Sequence, residues 1–135
     1  MEAVIYTKEK LRDKCAEWQK VLRLQDWDIK TSIERERDMK IANCNGVITI
    51  NEEHRSATIR ILDPLDYSPD EPYPQDMEKT LVHELLHIHL IPMTKDYEGH
   101  LAVAEEQAIN MMTSGYIELA RRGGETKNEK DSDLR

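Results

Sequence analysis

The apolar residues near the start of the chain repeat with a helical period. Within residues 8–24 they recur at intervals of four, three and four: Leu11, Cys15, Trp18 and Leu22. This spacing places all four side chains on one face, which predicts an amphipathic helix with a buried stripe. Thr7 precedes the pattern and is suited to cap the N-terminus of the helix.

A period of two replaces the helical period in the next third of the chain. Within residues 26–36, Trp27 and the isoleucines alternate with polar side chains, which predicts a half-buried strand. Two short β-branched segments at residues 47–51 and 57–62 predict two more strands, and residues 43–46 (NCNG) are typical of a turn. Because the connections are short, we expect a mainly antiparallel meander of three strands.

Helical patterns return after a proline-rich loop. Four of the five prolines fall within residues 63–75, which predicts an extended connection. Asp76 is suited to cap a helix that runs to about residue 90 and stops before the next proline. A last helix is expected over residues 100–121, with Gly123 just after its end.

The order of these elements predicts an α+β fold in one domain. A chain of 135 residues has the size of a single domain. We expect an N-terminal helix, a small three-stranded sheet, and two further helices. The domain should span residues 1–122, and residues 123–135 form a charged tail that we expect to be disordered.

The composition and charge favour a cytoplasmic protein. No apolar run approaches the length that spans a membrane, the N-terminus lacks a secretory leader, and the two cysteines form no CxxC pair. The 19 basic and 27 acidic residues give a net charge of −8, which repels phosphate backbones. We therefore expect no membrane association and no strong nucleic-acid binding.

The second predicted helix contains an HExxH motif, formed by His83, Glu84, Leu85, Leu86 and His87. Residues four apart lie about 40° from each other around a helix, so both imidazoles share one face and can bind the same zinc ion. The glutamate points away from the ligand direction. It can reach a water molecule without occupying a coordination position, which is what a general base requires.

The last predicted helix offers a third ligand, because a catalytic zinc ion usually takes three from the protein. Glu105 and Glu106 lie within a stretch of otherwise mostly small and apolar residues. Neighbours on a helix diverge by about 100°, so only one of the two can face the zinc ion. We prefer Glu106, because Asn110 lies one turn later on its face and can support a ligand by hydrogen bonding. Glu105 is the alternative.

Three segments carry a resemblance to a known class of enzyme: Leu81–Leu90 (LVHELLHIHL), Glu106–Asn110 (EQAIN) and, more weakly, Asp26–Ile29 (DWDI). With them the chain resembles a small gluzincin-type zinc metallopeptidase, similar to those that phages and prophages encode. It also shares general features with the ImmA/IrrE and SprT-like groups.

The resemblance implies a zincin-like fold and a mechanism. Zn²⁺ would be held by His83, His87 and Glu106, and Asn110 would support a zinc-binding histidine. Peptide bonds of a peptide or protein substrate would be hydrolysed by a metal-activated water, with Glu84 as general base.

Two further features of such an enzyme have candidates in the sequence. The strand at residues 57–62 precedes the motif, and we expect its edge to pair with an extended substrate. The oxyanion needs a hydrogen-bond donor. Five residues are candidates for this donor: Tyr67, Tyr73, Tyr97, His100 and Tyr116.

Two other functions compete with this interpretation. The chain could be a non-catalytic, zinc-containing interaction module that retains the ligands. It could also be a regulatory protease of the SprT or ImmA kind that acts on a DNA-associated protein, although its acidic charge disfavours direct DNA binding. The sequence predicts no oligomeric state.

Overall fold

The computed structural model describes residues 2–41 and 43–133 of the chain. Six main elements follow one another: helix α1 (Lys8–Val21), strands β1 (Asp28–Glu34), β2 (Gly46–Asn51) and β3 (Ser56–Leu62), and helices α2 (Met77–Thr94) and α3 (His100–Asp133). Short 3-10 turns occur at Glu36–Asp38 and Pro64–Asp66. The fold is α+β, as the sequence predicts.

Helix α1 forms on the predicted apolar stripe. The Thr7 hydroxyl caps it by accepting a hydrogen bond from the Lys10 backbone amide at 3.1 Å. All four residues of the stripe are buried. The helix ends earlier than predicted, because Arg23 adopts a left-handed conformation with φ of 62°, which is incompatible with a further helical turn.

The strand order differs from the predicted meander. Strand β3 lies in the centre, parallel to β1 and antiparallel to β2, so the sheet is mixed. The expectation of a mainly antiparallel sheet is therefore wrong. The physical reason is that β3 is the most deeply buried strand, with Ala57, Ile59, Ile61 and Leu62 all in the interior, and a central strand is covered on both edges. Residues 35–45 carry the chain from β1 past β3 to the far edge.

This order also corrects the predicted substrate-binding edge. Residues 57–62 belong to β3, which is hydrogen-bonded on both sides and has no free edge. The outer strands are β1 and β2. Strand β2 packs against α2, the helix that carries the HExxH motif.

Both later helices are longer than predicted. Helix α2 continues through Pro92 to Thr94, and the Lys95 amide closes its last turn by donating to the Ile91 carbonyl at 3.1 Å. Helix α3 continues past Gly123, because a glycine inside a helix costs only about 1 kcal/mol. The division of the chain at residue 122 into a domain and a disordered tail stays a prediction.

A buried polar network fixes α2 against the other two helices. Glu78 lies in the first turn of α2 and is only 8% exposed. Its carboxylate accepts hydrogen bonds from the Trp18 indole of α1 at 2.9 Å and from Arg121 of α3 at 3.2 Å. Arg121 also binds Asp76, the N-cap of α2, at 2.9 Å. Because breaking such a buried network is costly, it holds the three helices in one arrangement.

No helix of the described residues is suited to cross a membrane. None of their helices combines the length and the apolar content that crossing a membrane requires.

Candidate metal centre

The two histidines of the motif face a cleft from the middle of α2. The Asp76 side chain starts the helix by accepting a hydrogen bond from the Lys79 amide at 3.0 Å. Leu81 and Leu85 are fully buried on the opposite side of the helix, which anchors that face in the core. The rings of His83 and His87 are left partly exposed, with their centroids 5.2 Å apart.

Helix α3 brings Glu106 to both imidazoles. Its Oε2 lies 3.1 Å from His83 Nε2, and its Oε1 lies 3.1 Å from His87 Nε2. One ligand atom from each of the three residues falls within 4.8 Å of the others. This spacing is close enough for the three atoms to hold one metal ion.

Glu105 lies on the other nitrogen of His87. Its Oε1 is 3.1 Å from His87 Nδ1, and its side chain is 13% exposed, against 51% for Glu106. Because adjacent residues on a helix point in different directions, Glu105 and Glu106 contact different nitrogens of the His87 ring. The alternative in which Glu105 is the third ligand is not what the structure shows.

The hydrogen-bonding capacity of His87 favours a cation at this position. A neutral imidazole has a single N–H, yet each ring nitrogen of His87 faces a carboxylate oxygen. With the proton on Nδ1 and donated to Glu105, the Nε2 lone pair points at the negatively charged Glu106. Either a second ring proton or a metal ion between Nε2 and Glu106 removes this repulsion, so the donor set is compatible with a metal ion.

Burial also favours the neutral form of the other histidine. It lowers the pKa of His83, and a neutral ring is the form that binds metal. The Glu106 carboxylate and the Asn110 side chain act in the opposite direction and favour the protonated ring. Asn110 lies one turn after Glu106 and lines the same cleft.

Glu84 is buried beside the histidines. It is 7% exposed, and burial, together with the charge of Glu106, raises its pKa to about 8. Among the described residues it accepts no hydrogen bond and forms no ion pair within 4 Å. Its carboxylate is therefore available for a water or a substrate in the cleft.

Gly46 allows β2 to approach Glu84 closely. A Cβ at this position would lie 2.5 Å from Thr80 Cγ2 and 3.5 Å from Glu84 Cγ. Sequence reasoning predicted only a turn here and missed this role. A short contact between a strand and the motif helix has no signal in a single sequence.

The cleft has a volume of about 800 Å³ and is lined by β2, α2, α3 and the proline-rich loop. Of the five candidate oxyanion donors, Tyr67 and Tyr73 line it, and the Tyr67 hydroxyl donates to the Tyr73 carbonyl at 2.6 Å. Tyr97 and His100 do not line it. Tyr116 lies instead on a separate groove between α1 and α3.

Comparison with protein families, curated proteins and solved structures found no match to this chain. Any function proposed for the chain therefore rests on the geometry of the centre itself.

Proposed function

We propose that this protein is a zinc-dependent metallopeptidase with a zincin-like arrangement of its motif helix and glutamate helix. One observation carries the proposal: His83, His87 and Glu106 offer three ligand atoms within 4.8 Å of one another, and Glu84 lies beside them with its carboxylate unused. Two histidines and one glutamate are the ligand set of several zinc peptidases.

Each residue has a distinct task in peptide hydrolysis. His83, His87 and Glu106 would hold the ion. A bound zinc ion would supply Lewis acidity, polarising the scissile carbonyl and making water easier to deprotonate. Glu84 would accept the proton of the attacking water and deliver it to the leaving amine.

The loop between β3 and α2 would complete the site. The Tyr67 hydroxyl is already occupied by the Tyr73 carbonyl, a contact that orders this loop. The Tyr73 phenol lines the cleft and is 64% exposed, so it is free to donate to a developing oxyanion. This makes Tyr73 the best supported of the five candidates.

The free edge of β2 would bind the substrate backbone. Strand β2 borders the cleft, and its outer edge is not paired with another strand among the described residues. An extended peptide added to this edge would run past Glu84 and the histidine pair. This assigns to β2 the role that the sequence assigned to residues 57–62.

Replacement of Glu84 by glutamine tests the proposal. The change keeps the size of the side chain and removes the base, so kcat/KM for cleavage of denatured casein should fall by at least about 10³-fold. Bound zinc, measured by plasma mass spectrometry, should stay at about one ion per chain. His83→Ala and His87→Ala should lose both zinc and activity.

The same experiment separates the enzyme from a non-catalytic zinc module. Wild-type protein that binds zinc but shows no cleavage above the Glu84→Gln level would support the module and end the peptidase proposal. Wild-type protein that binds no zinc would exclude both.

A further inference from the structure

The cleft is chemically different at its two ends. The residues that line it recur at helical spacing along α2, from its N-cap, Asp76, through His83 and His87 to Ile91 and its C-cap, Lys95. The cleft therefore follows the helix axis, with the histidine pair near its middle. Polar residues line the N-terminal end, and an aliphatic side chain and a lysine lie beyond the pair.

Three isoleucines, which we call the aliphatic wall, line the cleft. Ile48 and Ile50 lie two residues apart on β2, so they share the face that packs towards α2. Ile91 lies one turn after His87. All three are only partly buried, although they line the same cleft as the metal centre. Apolar surface left open inside a cleft is suited to an apolar side chain of a ligand.

The direction of β2 places this wall at the C-terminal end of α2. Gly46, at the start of the strand, contacts Thr80, and it pairs with Ile61 of β3. Gln75, which immediately precedes α2, binds the neighbouring Leu62 carbonyl at 2.7 Å. The strand therefore begins beside the N-terminal end of α2 and runs towards the C-terminal end.

Strand direction then decides which part of a substrate meets the wall. Antiparallel pairing is the more stable arrangement for an added strand. A peptide antiparallel to β2 has its amino-terminal part beside Ile50 and its carboxyl-terminal part beside Gly46. Because Gly46 lies beside Glu84, the isoleucines farther along β2 face residues on the amino side of the scissile bond.

Lys95 adds a charge at the same end. It lies one turn after Ile91, is exposed, and forms no ion pair within the part of the chain that the structure describes. Glu105, a carboxylate that lines the same cleft, is engaged by His87. The ammonium group is thus free to attract a carboxylate on the ligand.

On these grounds we propose that the cleft selects peptides with an aliphatic residue one or two positions before the scissile bond and an acidic residue farther towards the amino terminus. This inference rests on the proposed peptidase function and names its substrate class. The wall supplies shape selectivity, and Lys95 supplies a weaker charge preference.

Mapping of cleavage sites tests the aliphatic preference. Zinc-loaded wild-type protein is incubated with denatured casein and with a synthetic dodecapeptide library, and the new termini are read by mass spectrometry. We expect Leu, Ile or Val before the cut bond, with kcat/KM at least about 10-fold above that of glycine peptides. Ile91→Ala, which enlarges the subsite, should shift the preference towards Phe. Cleavage that depends on Glu84 but shows no aliphatic preference would overturn the inference and leave the peptidase function standing, whereas wild-type protein without cleavage would end both.

Charge reversal tests the role of Lys95. In two peptides that differ only by Glu or Lys at the distal position, wild type should prefer Glu. Lys95→Glu should instead prefer the Lys peptide. The ratio of kcat/KM for the Glu peptide to kcat/KM for the Lys peptide should change by about threefold to tenfold at low salt, because exposed charges interact weakly. Lys79→Glu is the matched control, because this lysine lines the opposite end of the cleft, and it should leave the ratio unchanged. An unchanged ratio in Lys95→Glu, or an equal change in both variants, would overturn the assignment of the acidic preference to Lys95.

Discussion

At the scale of single residues, the centre depends on two adjacent glutamates with different tasks. Glu106 reaches both imidazoles, and Glu105 holds the Nδ1 side of His87. A carboxylate on the far nitrogen fixes the tautomer and the orientation of a metal-binding histidine. If the proposed zinc ion binds, Glu105 would therefore have a positioning task.

Replacement of Glu105 by glutamine should weaken zinc binding without removing it. Loss of such a supporting carboxylate typically lowers metal affinity by about 10- to 100-fold. Competition with a chromophoric chelator measures the affinity. Glu118→Gln is the control, because Glu118 lies on the same helix in an exposed ion pair with Arg122 and should leave the affinity unchanged. Equal affinities for wild type and Glu105→Gln would show that His87 is positioned by other contacts.

The residues of the motif were accessible to sequence reasoning because their geometry is local. Four residues of helix suffice to place His83 and His87 on one face, whatever the rest of the fold does. The choice between Glu105 and Glu106 depends on the rotation of α3 relative to α2. The sequence supplied only a preference for Glu106, based on Asn110. The task of Glu105 could be recognised only from the distance between its carboxylate and His87 Nδ1.

At the scale of elements, the sheet shows where local patterns stop being informative. The positions of the three strands were predicted to within about two residues, since alternation is a local property. The order of the strands within the sheet was not predicted, because the pairing of β1 with β3 depends on the burial of β3 from both sides. The consequence is functional, since the free edge beside the metal centre belongs to β2.

Replacement of Gly46 by alanine should destabilise the contact between β2 and α2. The added methyl group meets Thr80 Cγ2 at 2.5 Å, and overpacking of this kind costs about 1–3 kcal/mol in the free energy of unfolding. Urea denaturation measures this cost. Thr80→Ser removes Cγ2 and keeps the hydroxyl that donates to the Asp76 carbonyl, so Gly46→Ala combined with Thr80→Ser should recover most of the loss.

Gly115 provides the matched control for this substitution. It lies in α3, where an added Cβ meets nothing within 4 Å. Gly115→Ala should therefore be neutral or stabilise the protein by up to about 1 kcal/mol, because alanine favours helix. If Gly46→Ala behaves in the same way, β2 does not pack on Thr80 as described.

At the scale of the whole molecule, an ion pair ties the long connection after β1 to the loop before α2. Arg35 binds Asp66 through two nitrogens, at 2.7 and 3.0 Å, and the Glu36 amide donates to the same carboxylate at 2.8 Å. These hydrogen bonds hold the pKa of Asp66 at about 2, below the usual 3.8.

This depressed pKa predicts how acid affects stability. Asp66 contributes its full stabilisation above the pKa it has in the unfolded chain, and the contribution is lost as the pH falls from about 4–5 towards 2. The free energy of unfolding of Asp66→Asn, measured with urea in EDTA, should therefore lie below that of wild type at pH 6, and the gap should shrink as the pH falls below about 4 and close only at or below about pH 2. Asp13→Asn, at an exposed site with a longer contact to Arg12, should show little difference at either pH. A gap between wild type and Asp66→Asn that is as large at pH 2 as at pH 6 would contradict the assignment.

The final helix carries a consequence for synthesis of the protein. Glu106 lies 19 residues after His87, on a different helix. A nascent polypeptide that has emerged from the ribosome only as far as α2 presents both imidazoles and Glu84, but neither carboxylate of α3. Under the proposed function, the ligand set is thus completed only once α3 has been made, and the nascent chain would be inactive until then.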